Sequence, residues 1–160
     1  MPKELKDTLG KHVSCALRAM VWQLNGNFRA AGLDITADQF RVLAVIWHHS
    51  GLTQQELSCM LMQEKTSVSR LLTGLERRGF IRREPDPGDR RLRRIHLTEQ
   101  GQVLRQQLER VVLDSLDACQ QGIPEEDLET CKRVLKHVFM NIRGDSQGCC
   151  PAWPRNEETE

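Results

Sequence analysis

The chain has 160 residues, 39% hydrophobic and 28% charged, with a formal net charge of +1 and a pI near 7.7. This is the composition of a soluble globular protein, either one substantial domain or a small domain with helical extensions. The longest apolar run, Val42 to Trp47, falls far short of the ~20 residues of a membrane span, and the opening MPKELKDTLGKH has no secretory apolar region, so a cytoplasmic protein without a membrane partner is expected.

The first element expected is a long amphipathic helix from Leu5 to Phe28. Leu5, Leu9, Val13, Ala16, Leu17, Met20, Leu24 and Phe28 recur at three- and four-residue spacing. A narrower stripe of Cys15, Ala19, Trp22 and Gly26 lies well round the helix. A helix apolar on two sides has two neighbours, either both from its own subunit or one from a partner chain.

Gly32 ends this helix, and Thr36 with Gln39 fits a capping box for the next, whose buried face is Phe40, Leu43, Val45, Ile46 and Trp47. After Ser50-Gly51, Thr53 and Glu56 form a second capping box at the head of a short helix ending at Leu61. A turn at Met62 to Glu64 leads into a helix from Lys65 to Arg78, with Val68, Leu71, Leu72 and Leu75 inward and Gly79 as its C′ residue. Phe80 to Glu84 and Arg93 to Leu97 read as two strands joined by the turn residues Pro85 to Asp89; Ile81, Ile95 and Leu97 point to the core, Arg82 and Arg94 outward. Thr98 caps a long helix carrying Val103, Leu104, Leu108, Val111, Val112 and Leu116. Pro124, Glu125 and Glu126 open the last helix, lined by Leu128, Cys131, Val134, Leu135, Val138, Phe139 and Ile142 and stopped at Gly144. The remainder lacks periodicity and reads as a disordered tail. The fold class expected is mostly α with a small antiparallel β-wing, a winged helix–turn–helix with helices on either side.

Between Lys65 and Leu97 ten basic residues stand against four acidic ones, a net +6 in a chain of +1, which leaves −5 for the rest. Cation concentrated on one element is the footprint of a phosphate-backbone binder. In a winged helix–turn–helix the second helix enters the major groove with its N-terminal residues near base edges. Those residues are Lys65, Thr66, Ser67, Ser69 and Arg70, with Thr73 a turn further on; their hydroxyls and cations can bond phosphates and purine edges. At the hairpin tip Asp89, Arg90 and Arg91, with Arg93 beyond, form the second half of the interface. An arginine on a thin loop can enter a narrow minor groove. Asp89 either holds such an arginine by ion pairing or is simply a turn residue.

From about Ile35 to Leu108 the ordered motifs ITADQFRVL, LTQQELSCML, KTSVSRLLTGLERRGFIRRE and DPGDRRLRRIHLTEQG resemble the MarR-type bacterial transcription regulators. The resemblance implies a dimeric, sequence-specific repressor on a palindromic operator in double-stranded DNA, relieved by a small aromatic ligand or another signal. It casts Arg91 as the minor-groove reader and Asp89 as the brace of the wing. It also implies a homodimer with interleaved terminal helices. The organisation expected is then a dimerisation helix over 1–31, the DNA-binding lobe over 32–98, C-terminal dimerisation helices over 99–144 and a tail over 145–160. Two departures stand out: Leu92 replaces a small residue, and Met62-Gln63 replaces a frequent Gly-aliphatic pair.

Aromatic effectors of such proteins occupy a pocket between the dimer helices and the DNA-binding lobe. His12, Arg18, Trp22 and Trp47 are the candidate lining residues, or else ordinary core and surface positions. Cys15 sits early in the first helix, where the hydroperoxide-sensing branch keeps its reactive thiol. That branch activates the thiol with tyrosines, and this chain has none. His12, three residues earlier, could lower the Cys15 pKa, or Cys15 is an inert packing residue. A redox-sensing regulator through Cys15 is one alternative reading; a winged-helix module meeting an acidic protein partner is another. The six cysteines include no CxxC pair, so reduced thiols are expected. Neither His48-His49 nor Cys131 with His137 has metal-ligand spacing. With no Gly-rich phosphate loop and no nucleophile–base pair, neither a cofactor nor an enzyme activity is expected.

Overall fold

A computed structural model describes residues 7–143. In chain order these form α1 (Leu9–Ala30), α2 (Ala37–His48), β1 (Leu52–Thr53), α3 (Gln54–Leu61), α4 (Lys65–Arg77), β2 (Ile81–Pro85), β3 (Arg93–Leu97), α5 (Glu99–Gln120) and α6 (Glu125–Arg143). Leu5, Gly144 and the tail 145–160 lie outside the described residues.

Local chemistry accounts for most helix boundaries. The first helix opens at Leu9 because Thr8 caps it, accepting from the Lys11 amide at 3.3 Å. Both capping boxes form: Thr36 exchanges hydrogen bonds with Gln39, and Thr53 with Glu56. Gly32 and Gly79 take φ of +72° and +74° in the turns that follow α1 and α4. The α3–α4 turn is made by Met62, a non-glycine residue in the left-handed region at φ 50°. The Gly-aliphatic pair missing from the sequence is thus missing where its backbone freedom would have been used.

The wing is a three-stranded antiparallel sheet of order β1-β3-β2 rather than the two-stranded hairpin expected. Leu52 pairs with Ile95 and Thr53 with Arg94, while β2 runs against β3 from Ile81↔Leu97 to Pro85↔Arg93. Pro85 ends an outer strand, where its missing N–H costs no central ladder bond.

One core ties the lobe together. Phe28 from α1, Val42, Leu43 and Ile46 from α2, Leu57 from α3, Val68, Leu72 and Leu75 from α4, Ile81 and Ile95 from the sheet and Leu108 from α5 are buried in a single cluster. Each large side chain contributes about 1.5–3 kcal/mol of transfer free energy, so the face that α4 turns outward is set by the three residues it buries.

At the hairpin base, Thr98 donates its hydroxyl to Gly79 O (2.5 Å) and accepts from Gly101 N (3.1 Å), while Thr98 N donates to Phe80 O (3.1 Å). Gly101 lies so near the strand that a Cβ there would stand 2.2 Å from Phe80 O. The start of α5 is thereby clamped to the root of the wing.

A polar seam joins α1 to α5, with Asn27 donating to Ser115 Oγ (2.7 Å) and Cys119 Sγ donating to Gln23 Oε1 (3.2 Å). No described side chain of α6 is buried, and Ile142 on its expected apolar face is 79% exposed.

Candidate nucleic-acid interface

Burial of Val68, Leu72 and Leu75 leaves the opposite side of α4 to solvent. Lys65, Thr66, Ser67, Arg70 and Thr73 are exposed, whereas Ser69 is half-buried at the edge of this face. Thr66, Ser69, Arg70, Thr73, Gly74 and Arg77 line a shallow groove of about 490 Å³. Arg77 is therefore a residue of this groove that the sequence reading did not single out. Its signal was present, since Arg77 lies seven residues, or two helical turns, beyond Arg70. Glu64 makes no side-chain cap to α4 and no acid lies in the first turn, so the helix presents uncapped N–H groups and its positive dipole end beside Lys65. Gln54 of α3 donates to Lys65 O at 3.2 Å and fixes the two helices to each other there.

In the hairpin the principal brace is Asp86. Its side chain is almost fully buried, accepts from Gly88 N (2.7 Å) and Asp89 N (2.9 Å), and pairs with Arg94 Nε. Arg94 in turn donates to Gly51 O (2.7 Å), which anchors the wing to the turn before β1. The Asp89 and Gly88 amides and the Arg94 guanidinium hold the Asp86 carboxyl below its ordinary pKa. Asp89 accepts from Arg91 N (2.9 Å) and so closes the tip through the main chain. The ion pair that the sequence reading offered to Asp89 belongs to Asp86, and Arg94, expected to point outward, turns back to make it.

The charge divides accordingly. Arg78 meets Asp34 (3.2 Å), Arg82 meets Glu84 (2.6 Å), Arg83 meets Glu76 (3.5 Å) and Arg94 meets Asp86. Lys65, Arg70, Arg77, Arg90, Arg91 and Arg93 are all exposed and make no ion pair among the described residues. These six lie on the outer face of α4 and at the tip and far strand of the hairpin.

The chain matches the MarR family model over residues 35–92. It is 31% identical over 108 residues to the multiple antibiotic resistance protein MarR of Escherichia coli K12, covering 67% of this chain and 75% of that protein. The chain belongs to the MarR family. It is also 29% identical over 119 residues to the HTH-type transcriptional regulator YybA of Bacillus subtilis, covering 74% of this chain and 79% of that one. Among solved structures, a mutant E. coli MarR complexed with operator DNA superposes with a TM-score of 0.77 at 28% identity, covering 82% of this chain and 93% of that one. As a MarR-family protein the chain is a DNA-binding transcriptional regulator and not an enzyme.

The candidate effector residues of this MarR-type chain are spread apart. Trp47 stands edge-on to Phe40 (ring centroids 5.8 Å), with the Arg105 guanidinium 5.6 Å over its ring. It helps line a cavity of about 260 Å³ with Ser50, Arg82, His96, Thr98 and Gln102, and its Nε1 is buried without a hydrogen-bond partner among the described residues. His12, Arg18 and Trp22 are not walls of that cavity. They stand on α1, His12 paired with Asp7 (2.5 Å) and Trp22 77% exposed. Cys15 is an exposed free thiol whose polar neighbour is Arg18 (3.6 Å), while His12 is engaged by Asp7. Cys119 and Cys131 are also free. Among the described residues no group of three or more His, Cys, Asp or Glu could hold a metal, and no helix is long and apolar enough to cross a membrane.

Proposed function

We propose that this regulator is a cytoplasmic homodimer that represses transcription by placing two α4 helices and two wing tips on a palindromic operator. The observation that carries the reading is the partition of charge: among the described residues the arginines of the α4 outer face and the wing tip make no ion pair, while Arg78, Arg82, Arg83 and Arg94 are tied to acids. Lys65, Thr66, Ser67, Ser69, Arg70 and Thr73 face the major groove, and Arg90, Arg91 and Arg93 flank the adjacent minor groove and backbone. Residues 32–98 form the DNA-binding lobe, and the helices of 1–31 and 99–144 supply the dimer contact. Exposed apolar side chains on α1 and α6, Leu17 and Ile142 among them, support that contact. Two lobes joined in this way carry their recognition helices about 34–36 Å apart, one turn of DNA.

Binding of a small aromatic ligand, or another signal at the junction of helices and lobe, changes that spacing and releases the operator. Titration of the protein against palindromic fragments tests the core of the proposal. Affinity should fall steeply between low and physiological salt as counterions are released, and Arg91→Ala should cost about 1–3 kcal/mol of specific binding. Salt-independent binding would refute the backbone contacts, and unchanged affinity in Arg91→Ala would refute the minor-groove contact.

A redox version of the switch is favoured by one contact, the Arg18 guanidinium donating to the Sγ of the exposed Cys15 thiol at 3.6 Å. Loss of operator binding on mild peroxide treatment, prevented by Cys15→Ser, is the expected result. Loss that persists in Cys15→Ser would place the sensor elsewhere.

A further inference from the structure

Thr73 is exposed in the middle of the α4 groove, between Arg70 and Arg77. A threonine there offers DNA a hydroxyl or a methyl group. Thr73 Oγ1 donates to Ser69 O at 2.9 Å, one helical turn back, so its single hydroxyl proton is already used. This hydrogen bond also selects the side-chain rotamer, since a helical threonine otherwise divides between two. Toward a base edge the hydroxyl can then only accept, and the γ-methyl is the apolar group that Thr73 offers there. Gly74, which follows it in the groove wall, puts no side chain beside that methyl. A Cβ at Gly74 would stand 3.3 Å from Gln39 Nε2 of α2.

We infer that Thr73 is a specificity-determining residue that reads thymine through methyl–methyl contact with the base C5 group in the major groove, with its hydroxyl serving as an internal lock. Thymine is the base that carries a methyl group on the major-groove edge. The inference rests on the proposal that α4 is the reading helix.

The test starts from a duplex selected by the full-length protein from random DNA, in which each thymine is then replaced in turn by deoxyuridine. Replacement removes one methyl group and leaves the Watson–Crick edge unchanged. For the wild type, one thymine per half-site should lose about fourfold in affinity on replacement, the value of one buried methyl. Thr73→Ser keeps the hydroxyl lock and lacks the methyl, so it should bind the thymine duplex about fourfold more weakly per half-site and be indifferent to uracil there. Thr73→Val keeps a methyl and should retain the preference for thymine.

If every uracil duplex binds the wild type as well as the parent, the inference is overturned. It is likewise overturned if Thr73→Ser discriminates uracil as strongly as the wild type, because another residue then reads the methyl. Arg70→Ala separates the two levels. Normal affinity in that variant removes the α4 reading and the Thr73 inference with it. Weakened Arg70→Ala binding alongside unchanged Thr73→Ser discrimination removes the Thr73 inference alone.

Discussion

Gly101→Ala tests whether the contact between α5 and the wing root is as close as the geometry requires. The added Cβ would lie 2.2 Å from Phe80 O and 2.9 Å from Leu97 Cδ2. A relaxed carbon–oxygen contact is about 3.3–3.6 Å, so the deficit at the carbonyl exceeds 1 Å. That oxygen is main chain and accepts from Thr98 N, so it cannot swing aside as a side chain would. Overpacking of this kind costs about 1–3 kcal/mol. Displacing α5 also weakens the Thr98 cap on Gly101 N, worth about 1 kcal/mol. The total, about 2–4 kcal/mol, lowers Tm by about 4–16 °C in a chain of this size. Circular dichroism at 222 nm, with the melt followed at fixed protein concentration, measures it. Gly10→Ala is the matched control: no atom lies within 4 Å of its Cβ, and replacing a helical glycine there should add up to about 1 kcal/mol. A Gly101→Ala protein melting within a degree of wild type would refute the close approach and, with it, the rigid junction between wing and α5.

Asp86→Asn removes a carboxyl whose folded pKa is depressed by the Asp89 amide, Arg94 and the Gly88 amide. Its charge-dependent contribution is fully present above the unfolded pKa of about 3.9 and is lost as pH falls through the lower folded value; the variant should therefore lose stability less steeply than wild type in acid unfolding below about pH 4, and an identical acid limb would count against the brace. Met62→Gly places a permissive residue at φ 50°, where the native side chain is 62% exposed and gives up little burial; the urea midpoint should rise, by about 0.5–1 kcal/mol of stability, and a lower midpoint would show that Met62 is held by contacts outweighing its backbone strain. Arg77→Ala should weaken all duplexes about equally and reduce the salt slope by about one, whereas Arg78→Ala, whose guanidinium already meets Asp34 and the Phe80 ring, should leave the salt slope unchanged. Equal slopes in the two variants would overturn the division of arginines into free and engaged.

Features set by neighbours in the chain were legible before the structure was known. The capping residues Thr36, Thr53 and Thr98 act on amides three residues away, and the glycines after α1 and α4 take the positive φ that the local turn requires. What escaped the sequence depends on distant partners. β1 is two residues long and is a strand only because Ile95 and Arg94 lie beside it. Asp86 and Asp89 stand in the same turn as similar acids, and burial against Arg94, itself tied to the Gly51 loop more than thirty residues before that turn, separates their roles. The four aromatic and polar candidates for an effector pocket looked equivalent as residue types. Three of them lie on α1, and Trp47 helps line a cavity that does not include them.

The same distinction governs the charge. A net +6 says that this segment attracts phosphate, but every cation contributes alike to that total wherever it points. Glu76, Glu84, Asp86 and, from outside the segment, Asp34 each take one arginine. Had the acids been spaced to meet Arg70, Arg77, Arg90 or Arg91 instead, the net charge and the family motifs would be nearly unchanged while the groove face of α4 and the wing tip were neutralised. The acids of the hairpin region therefore do more than offset charge. By engaging four arginines, one of which anchors the wing to Gly51, they divide the cations into those already paired and those left exposed without an ion pair among the described residues.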